Sequence, residues 1–367
     1  MRKCGADVDA DDGVQCFLKN ATGEYRLHDR EFSVALISFS YPLFVNRQTI
    51  EGILVSTMRA PDRVDRVAFA LLNAVIAIGC RTSIRKQQAS TETPSSESAI
   101  APRRYFSLAL SCQDDLQNGQ SSLLKLQTLV AMILFARYDH DVPLTRSLLA
   151  QAVHMIPELR LATPACTSST QDTSLQEETE RVFWILYSIE KPYALRFGSH
   201  SMIDDDLLTY HAPSQIKSSS TSLSADNYSG WEIVNYRYAR LCSVIVKTLY
   251  SRATLKIGPS GTAASISRLT SMLEAWRMSI PMAYRPKSSA EFRERPEQSS
   301  DFGRAMTIFF NYAEASFAIH RWAIATTTYD PDSSSTYISS RDECVAVAKR
   351  VLSATHSFSV NDAEMEW

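Results

Sequence analysis

Along most of this chain apolar residues recur three and four positions apart, the spacing that lines one face of an α-helix. VNYRYARLCSVIVKTLYSRATL, ISRLTSMLEAWRMSI, MTIFFNYAEASFAIHRWAIATT and DECVAVAKRVLSATHSF all carry it. VAFALLNAVIAIGC, from Val67 to Cys80, is a nearly unbroken apolar run between Arg66 and Arg81. A bilayer span needs about 20 apolar residues, so this shorter run predicts a buried core helix. Thr128 to Ala136 is apolar almost all round, which predicts a central helix, and Ser122 is placed to cap it. After the turn YDHDVP, LTRSLLAQAVHMIPELRLA returns as the second arm of a helical hairpin, with Pro157 kinking or ending it early. Ser174 with Glu177, and Ser229 with Glu232, match the capping box that opens a helix. No stretch sustains two-residue alternation bounded by turn residues. The expected fold class is therefore all-α, an antiparallel multi-helix bundle.

The helices are separated by Ser/Thr/Pro-rich stretches at 87–99, 163–174, 213–230, 285–300 and 330–340. Such segments bury too little apolar surface to offset their ordering entropy, so they are expected to be connecting surface loops. Residues 1–33 are expected to form a poorly ordered N-terminal extension, and 34–367 the helical domain.

Composition changes the picture only by exclusion. Hydrophobic residues make up 45% and charged residues 21%, enough apolar material for a large core. The net charge is −2, and basic residues cluster only in pairs such as Arg2–Lys3, Arg85–Lys86 and Arg103–Arg104. A protein that grips DNA by its phosphates usually shows a basic stripe. The seven cysteines are scattered and odd in number, as expected of reduced thiols inside a cell. No apolar stretch follows the basic first residues, so no signal peptide is expected.

The richest stretch is RVFWILYSIEKPYALRFGSHSMIDDDLL, Arg181 to Leu208. Val182, Ile185, Leu186, Ile189, Tyr193 and Phe197 share one helical face, and Phe183 and Trp184 widen it. Pro192 predicts a bend, Gly198 a left-handed turn past the helix end, and Arg196 complements the helix dipole. Glu190 and Lys191 fall beside the apolar stripe. Buried charges are paired, so one reading is a structural ion pair that orders the following loop, and the other a carboxylate that anchors a ligand. Asp204, Asp205 and Asp206 are consecutive and cannot all point one way, so a turn or helix cap is favoured over a metal loop.

This stretch resembles the signature of the fungal-specific transcription factor domain, the middle homology region of fungal binuclear zinc-cluster regulators. The matching residues are Arg181, Phe183, Trp184, Tyr187, Glu190, Lys191, Gly198, Ile203, Asp204 and Asp206. YPLFVNRQTIEGIL, LLNAVIAIGCR, the central hairpin, LEAWRMSIPMAYRP, FFNYAEASFAIHRWAI and ECVAVAKRVL resemble further segments of the domain in the same order. Ser199–His200 depart from the Arg-Pro common at that place, and Trp322 from a proline. Such domains usually add helices beyond the point matching Trp367, so a C-terminal truncation is expected. The resemblance implies a nuclear regulatory region acting through intramolecular contacts, other regulator chains or the transcription machinery, and in some relatives answering a small metabolite.

In that family, zinc and DNA belong to an N-terminal cluster of six thiolates, which needs Cys-x2-Cys pairs to place sulfurs about 2.3 Å from one ion. Cys4, Cys16, Cys80, Cys112, Cys166, Cys242 and Cys344 contain no such pair. This chain is therefore expected to bind no zinc or other cofactor and to read no bases itself. Enzyme signatures are also missing: there is no Gly-x-Ser-x-Gly, phosphate loop or dinucleotide fingerprint. His154 with Glu158 supplies only two ligands, and His154 is expected to be partly buried. The Asp139–Asp141 DHD turn suits capping, and His320–Arg321–Trp322 suits helix packing better than an anion site. Two further functions stay open. One is an enzyme or carrier using an apolar pocket near Trp184, Tyr187, Tyr236, Trp276 and Phe310, aromatics that core packing alone explains more cheaply. The other is a truncated partner that competes with full-length regulators.

Overall fold

The structure, a computed structural model, describes residues 44–60, 63, 65–89, 96–159, 173–207, 226–251, 259–282, 284–286, 300–327 and 334–356. The expected 1–33 extension lies outside them. Among the described residues there are helices and no strand. The helices are α1 (Arg47–Arg59), α2 (Arg66–Ala89), α3 (Ser96–Leu110), α4 (Gln113–Gln117), α5 (Leu123–Tyr138) and α6 (Val142–Glu158). After them come α7 (Thr173–Phe197), α8 (Asp226–Leu249), α9 (Pro259–Met278), α10 (Ser300–Thr327) and α11 (Ser334–His356). The chain forms two compact units, one ending at Ile185 and the other starting at Leu186, within α7.

In the first unit α5 is the central helix, because its composition leaves no polar face to turn outward. Every residue from Lys125 to Ala136 is buried. It packs against α2 and α6, while α3 packs on α2. Phe106 of α3 stacks on Phe135 of α5 with ring centroids 4.2 Å apart. The helix starts where Ser122 places it, the serine oxygen accepting from Lys125 N at 3.3 Å. Its hairpin partner α6 is capped by Asp141, whose carboxylate accepts from Leu144 N at 3.0 Å. The helix ends at Glu158, one residue after Pro157.

Polar groups close the ends of this core. Arg81, at the end of the apolar run in α2, donates to Tyr138 O at 2.8 Å and to Asp139 at 3.1 Å. Arg103 reaches the same Asp139 oxygen at 3.2 Å. Buried Gln127 donates to Phe44 O at 2.9 Å and to Glu178 at 2.8 Å, and Asn46 N donates to the same Glu178 oxygen at 3.0 Å. One amide thus ties the segment before α1 to the start of α7.

In the second unit α10 packs against α8, α9 and α11. Its core joins Tyr238, Leu241 and Ile245 of α8 to Leu269, Leu273 and Trp276 of α9, with Ile319 of α10. The Trp276 ring lies 4.9 Å from Tyr238 between centroids, and its indole N–H donates to Val234 O at 3.2 Å. Trp322 packs against this cluster and Arg321 is exposed. His320, just before them, is buried, its Nδ1 lying 3.3 Å from the Ser340 hydroxyl of α11.

Two expectations change. Ser174 and Ser229 lie inside α7 and α8, which begin at Thr173 and Asp226, so neither serine is the N-cap. Runs of Ser, Thr, Asp and Asn offer several capping residues in succession, and pattern alone does not choose among them. The stretches read as loops are also shorter than expected. Helices α2, α3, α7, α8, α10 and α11 enter them, and the rest of each loop lies largely outside the described residues. Ser340, in the serine-rich 330–340 stretch, is 1% exposed, because packing against His320 overrides weak helix propensity.

Phe135→Ala should destabilise the chain by about 3–5 kcal/mol, since it deletes a ring from a closed core. Urea denaturation reads this loss, and Phe106→Ala in the same chain should add less than its own separate cost.

Burial lowers the pKa of His320, opposed by the charge of Glu343. Below the ordinary histidine value of about 6.5 the unfolded chain takes up a proton that the folded chain resists, so stability falls as pH drops. In melts across that range His320→Gln should flatten the loss, which for one proton is at most about 1.4 kcal/mol per pH unit.

Candidate functional site

The second half of α7 places two charges where the helix is otherwise apolar. Glu190 is 1% exposed and Lys191 0%. The helix continues through Pro192 to Phe197 and stops at Gly198, whose φ of 60° only glycine adopts cheaply. Gly198 N donates to Leu195 O at 3.2 Å and Ser199 N to Ala194 O at 3.0 Å, a Schellman turn. This turn sends Ser201 to Asp206 back to meet Glu190 and Lys191.

The returning loop satisfies both charges. Glu190 Oε1 accepts from Met202 N at 2.7 Å, and Oε2 accepts from the Ser201 hydroxyl at 2.9 Å. Lys191 Nζ donates to Ser201 Oγ at 2.6 Å and to the carbonyl of buried Ile203, and pairs with Asp205 Oδ1 at 3.1 Å. The Tyr187 hydroxyl donates to Asp205 Oδ1 at 2.8 Å, and Ser243 of α8 donates to Oδ2. Lys191 Nζ also lies 5.1 Å from the Tyr187 ring centre, a cation–π distance. One buried ammonium thus gathers a helix, a loop and the next helix.

The electrostatics follow from burial and partners. Burial pushes the Glu190 carboxyl above its usual range, against Lys191 and the Met202 and Ser201 hydrogen bonds. Burial acts in the same direction on Asp205, but Ser243, Lys191 and Tyr187 outweigh it and hold that carboxyl low. Tyr187 is pushed up by burial and by the adjacent Asp205, so its phenol stays protonated and donates.

The signature residues therefore take different places. Phe183 and Trp184 are buried and meet edge to face at 5.0 Å, and Arg181 is exposed. Tyr187, Glu190, Lys191 and Ile203 build the network, and Gly198 makes its turn. Asp204 and Asp206 lie outside it, with side chains 55% and 87% exposed. Asp204 accepts from Asp206 N at 3.1 Å and so shapes the turn. Lys247 Nζ lies 3.6, 3.8 and 3.6 Å from Asp204, Asp205 and Asp206, so the expectation that three consecutive aspartates cannot converge is corrected: the tight turn at Asp205–Leu207 wraps all three carboxylates around one long ammonium side chain.

The motifs in the sequence point to neither Ser201 nor Ser243, and to Asp205 only as one of three turn aspartates. Ser243 carries a usable signal, because it interrupts the apolar face of LCSVIV, and a polar residue there needs a partner. Asp205 carries none that separates it from its two neighbours.

The other candidates are not brought together into one site. His154 meets Glu158 at 3.5 Å, but its side chain is 80% exposed rather than partly buried, because it sits on the outer face of α6. Among the described residues no group of three or more His, Cys, Asp and Glu side chains is placed to hold a metal ion. Burial pushes the Cys80 thiol up to about 12 and raises Cys112 as well, so neither supplies a ready thiolate. The aromatics that could have opened a pocket pack together, as in Tyr187 with Tyr236 at 6.0 Å and Phe310 with Phe309 at 5.4 Å. A cavity of about 320 Å³ does exist in the second unit, but none of those five aromatics lines it. Among the described residues no helix is long and apolar enough to cross a membrane.

Comparison with known proteins gives these residues a setting. The family described as "Fungal specific transcription factor domain" matches residues 60–337. The chain is 28% identical over 255 residues to the Fumonisin cluster-specific transcription factor FUM21 of Gibberella moniliformis, covering 66% of this chain and 36% of that protein. It is 25% identical over 261 residues to an ABC-transporter-regulating transcription factor of Aspergillus oryzae, covering 70% of this chain and 28% of that protein. The Pyrimidine pathway regulatory protein 1 of Saccharomyces cerevisiae is 23% identical over 225 residues, which are 58% of this chain and 23% of that protein. The matched region is thus about a third of the first two relatives. No solved structure matches the chain.

Lys191→Met should cost about 3–5 kcal/mol, because it leaves Glu190 and Asp205 facing each other without their shared cation. Chemical denaturation measures the loss. Lys247→Met, at a half-exposed position, should cost less than about 1 kcal/mol.

Proposed function

The chain belongs to the fungal specific transcription factor domain family, and on that ground we propose that it is the regulatory, non-DNA-reading region of a fungal transcription regulator. It acts in the nucleus through intramolecular contacts and contacts with other regulator chains or the transcription machinery. DNA is read by a zinc-cluster region outside these residues, and the chain itself holds no zinc. The observation that carries this reading is the family match across 60–337, with the buried Glu190–Lys191–Asp205 network inside it. The network supports the reading because every charge in it is spent on a neighbouring segment. It holds α7, the following loop and α8 in one arrangement, which suits a scaffold that presents surfaces. On the same reading the region performs no chemistry. The three relatives named above are regulators by their names, which supports a shared regulatory role and leaves the target genes of this chain to be found.

A reporter assay tests this. The chain is inserted between an unrelated DNA-binding domain and an unrelated activation domain. Expression should change by about fivefold or more, the scale of a regulatory coupling. The purified chain alone should retard no DNA. An unchanged reporter with the fusion stably present, or sequence-specific DNA binding by the chain alone, would contradict the proposal.

A further inference from the structure

The second unit holds a cavity of about 320 Å³ that the network around Lys191 does not use. It opens among α9, α10 and α11, and its wall has two chemically distinct parts. Phe309, Val347 and Pro286 give it an apolar part. Glu274, Arg277, Tyr312 and Arg350 give it a polar part.

The polar part is already organised. Glu274 Oε2 accepts from Arg277 Nε at 2.9 Å, and Oε1 accepts from the Tyr312 hydroxyl at 2.6 Å. Burial works against ionisation of Glu274, but the hydrogen bonds from Arg277 and Tyr312 and the charge of Arg350 outweigh it and hold the carboxyl low. The wall therefore carries two guanidinium groups against one carboxylate. Arg350 pairs with Glu343 at 2.6 Å, and Glu343 does not line the cavity. A guanidinium has five N–H donors, so both arginines keep donors beyond these pairs.

The volume is at the small end for ligand sites, which hold a few polar groups on an otherwise apolar surface. Each guanidinium already has a carboxylate partner, so an anion is held by the N–H donors they keep, which suits one carboxylate, and a dianion would meet Glu274 and Glu343 at close range. A flat or branched apolar body fits against Phe309, Val347 and Pro286. We propose that this cavity binds a small organic acid, a monocarboxylate with an aromatic or branched apolar body whose carboxylate faces Arg277 and Arg350. Since three helices contribute to the wall, the bound acid ties α11 to α9 and α10. The inference concerns binding alone and stands whether or not the chain regulates transcription.

The experiment uses the full chain with a trifluoromethyl-diazirinyl benzoate and its primary amide as photoreactive probes. Titration calorimetry gives affinities, and mass spectrometry after illumination gives the labelled peptides. The benzoate should bind at least about tenfold more tightly than the amide, the worth of a charge-assisted hydrogen bond. Label should fall on the peptides holding Phe309 or Val347. Arg350→Met, whose fold is checked by circular dichroism, should lose about tenfold for the benzoate and nothing for the amide. If that variant fails to fold, the benzoate-to-amide comparison on the unaltered chain decides alone. Equal binding of the two probes, labelling confined to other helices, or no binding of either would overturn the proposal.

Discussion

An ammonium group with none of its surface exposed has lost its hydration, and the protein must replace every hydrogen bond that water supplied. At Lys191 the replacements come from Ser201, Ile203 and Asp205, all within fifteen residues along the chain. They can be supplied only if the chain turns back at Gly198, which is why a left-handed turn stands there. They are completed only if Asp205 is held by Tyr187 on one side and Ser243 on the other. The position of α8 relative to the end of α7 thus follows from the need to keep one buried charge paired.

The same demand explains why polar residues stand in an otherwise apolar helix. A pair of well-packed hydrophobic residues in place of Glu190 and Lys191 would often be no less stable. What such a pair could not do is select one loop path. Glu190 takes one backbone N–H and one hydroxyl of the loop, and Lys191 takes the same hydroxyl, a carbonyl and a carboxylate. A loop shifted by one residue would leave several of these groups buried without partners, at about 1–3 kcal/mol each and more for the charges. Fixing a surface in this way suits a region whose proposed work is to be recognised by other proteins.

Much of the fold is legible because helix periodicity is a strong signal. The run from Thr128 to Ala136 has no polar face and becomes the centre of the first unit. Ser122, Asp141 and Gly198 each do locally what their residue type favours, because a cap depends on a few neighbouring atoms. Helix starts are less legible, as Ser174 and Ser229 show, since several capping residues stand side by side. In the site, Glu190 and Lys191 stand out as charges beside an apolar stripe, and their pairing follows from the cost of burial. Asp205 does not stand out, because which of three consecutive aspartates turns inward is set by the loop path and by Ser243, 38 residues further on. The cavity is invisible for the same reason: Glu274, Phe309 and Arg350 come together only through the packing of three helices.

Hydrogen–deuterium exchange of the loop from Ser199 to Leu207 tests the central claim most directly. If Glu190, Lys191 and Asp205 hold this loop, the amide of Met202 exchanges as slowly as amides in the buried part of α8, because it opens only when the unit does. Exchange of Met202 at the rate of an unstructured peptide, while α8 stays protected, would show that the buried charges do not position the loop.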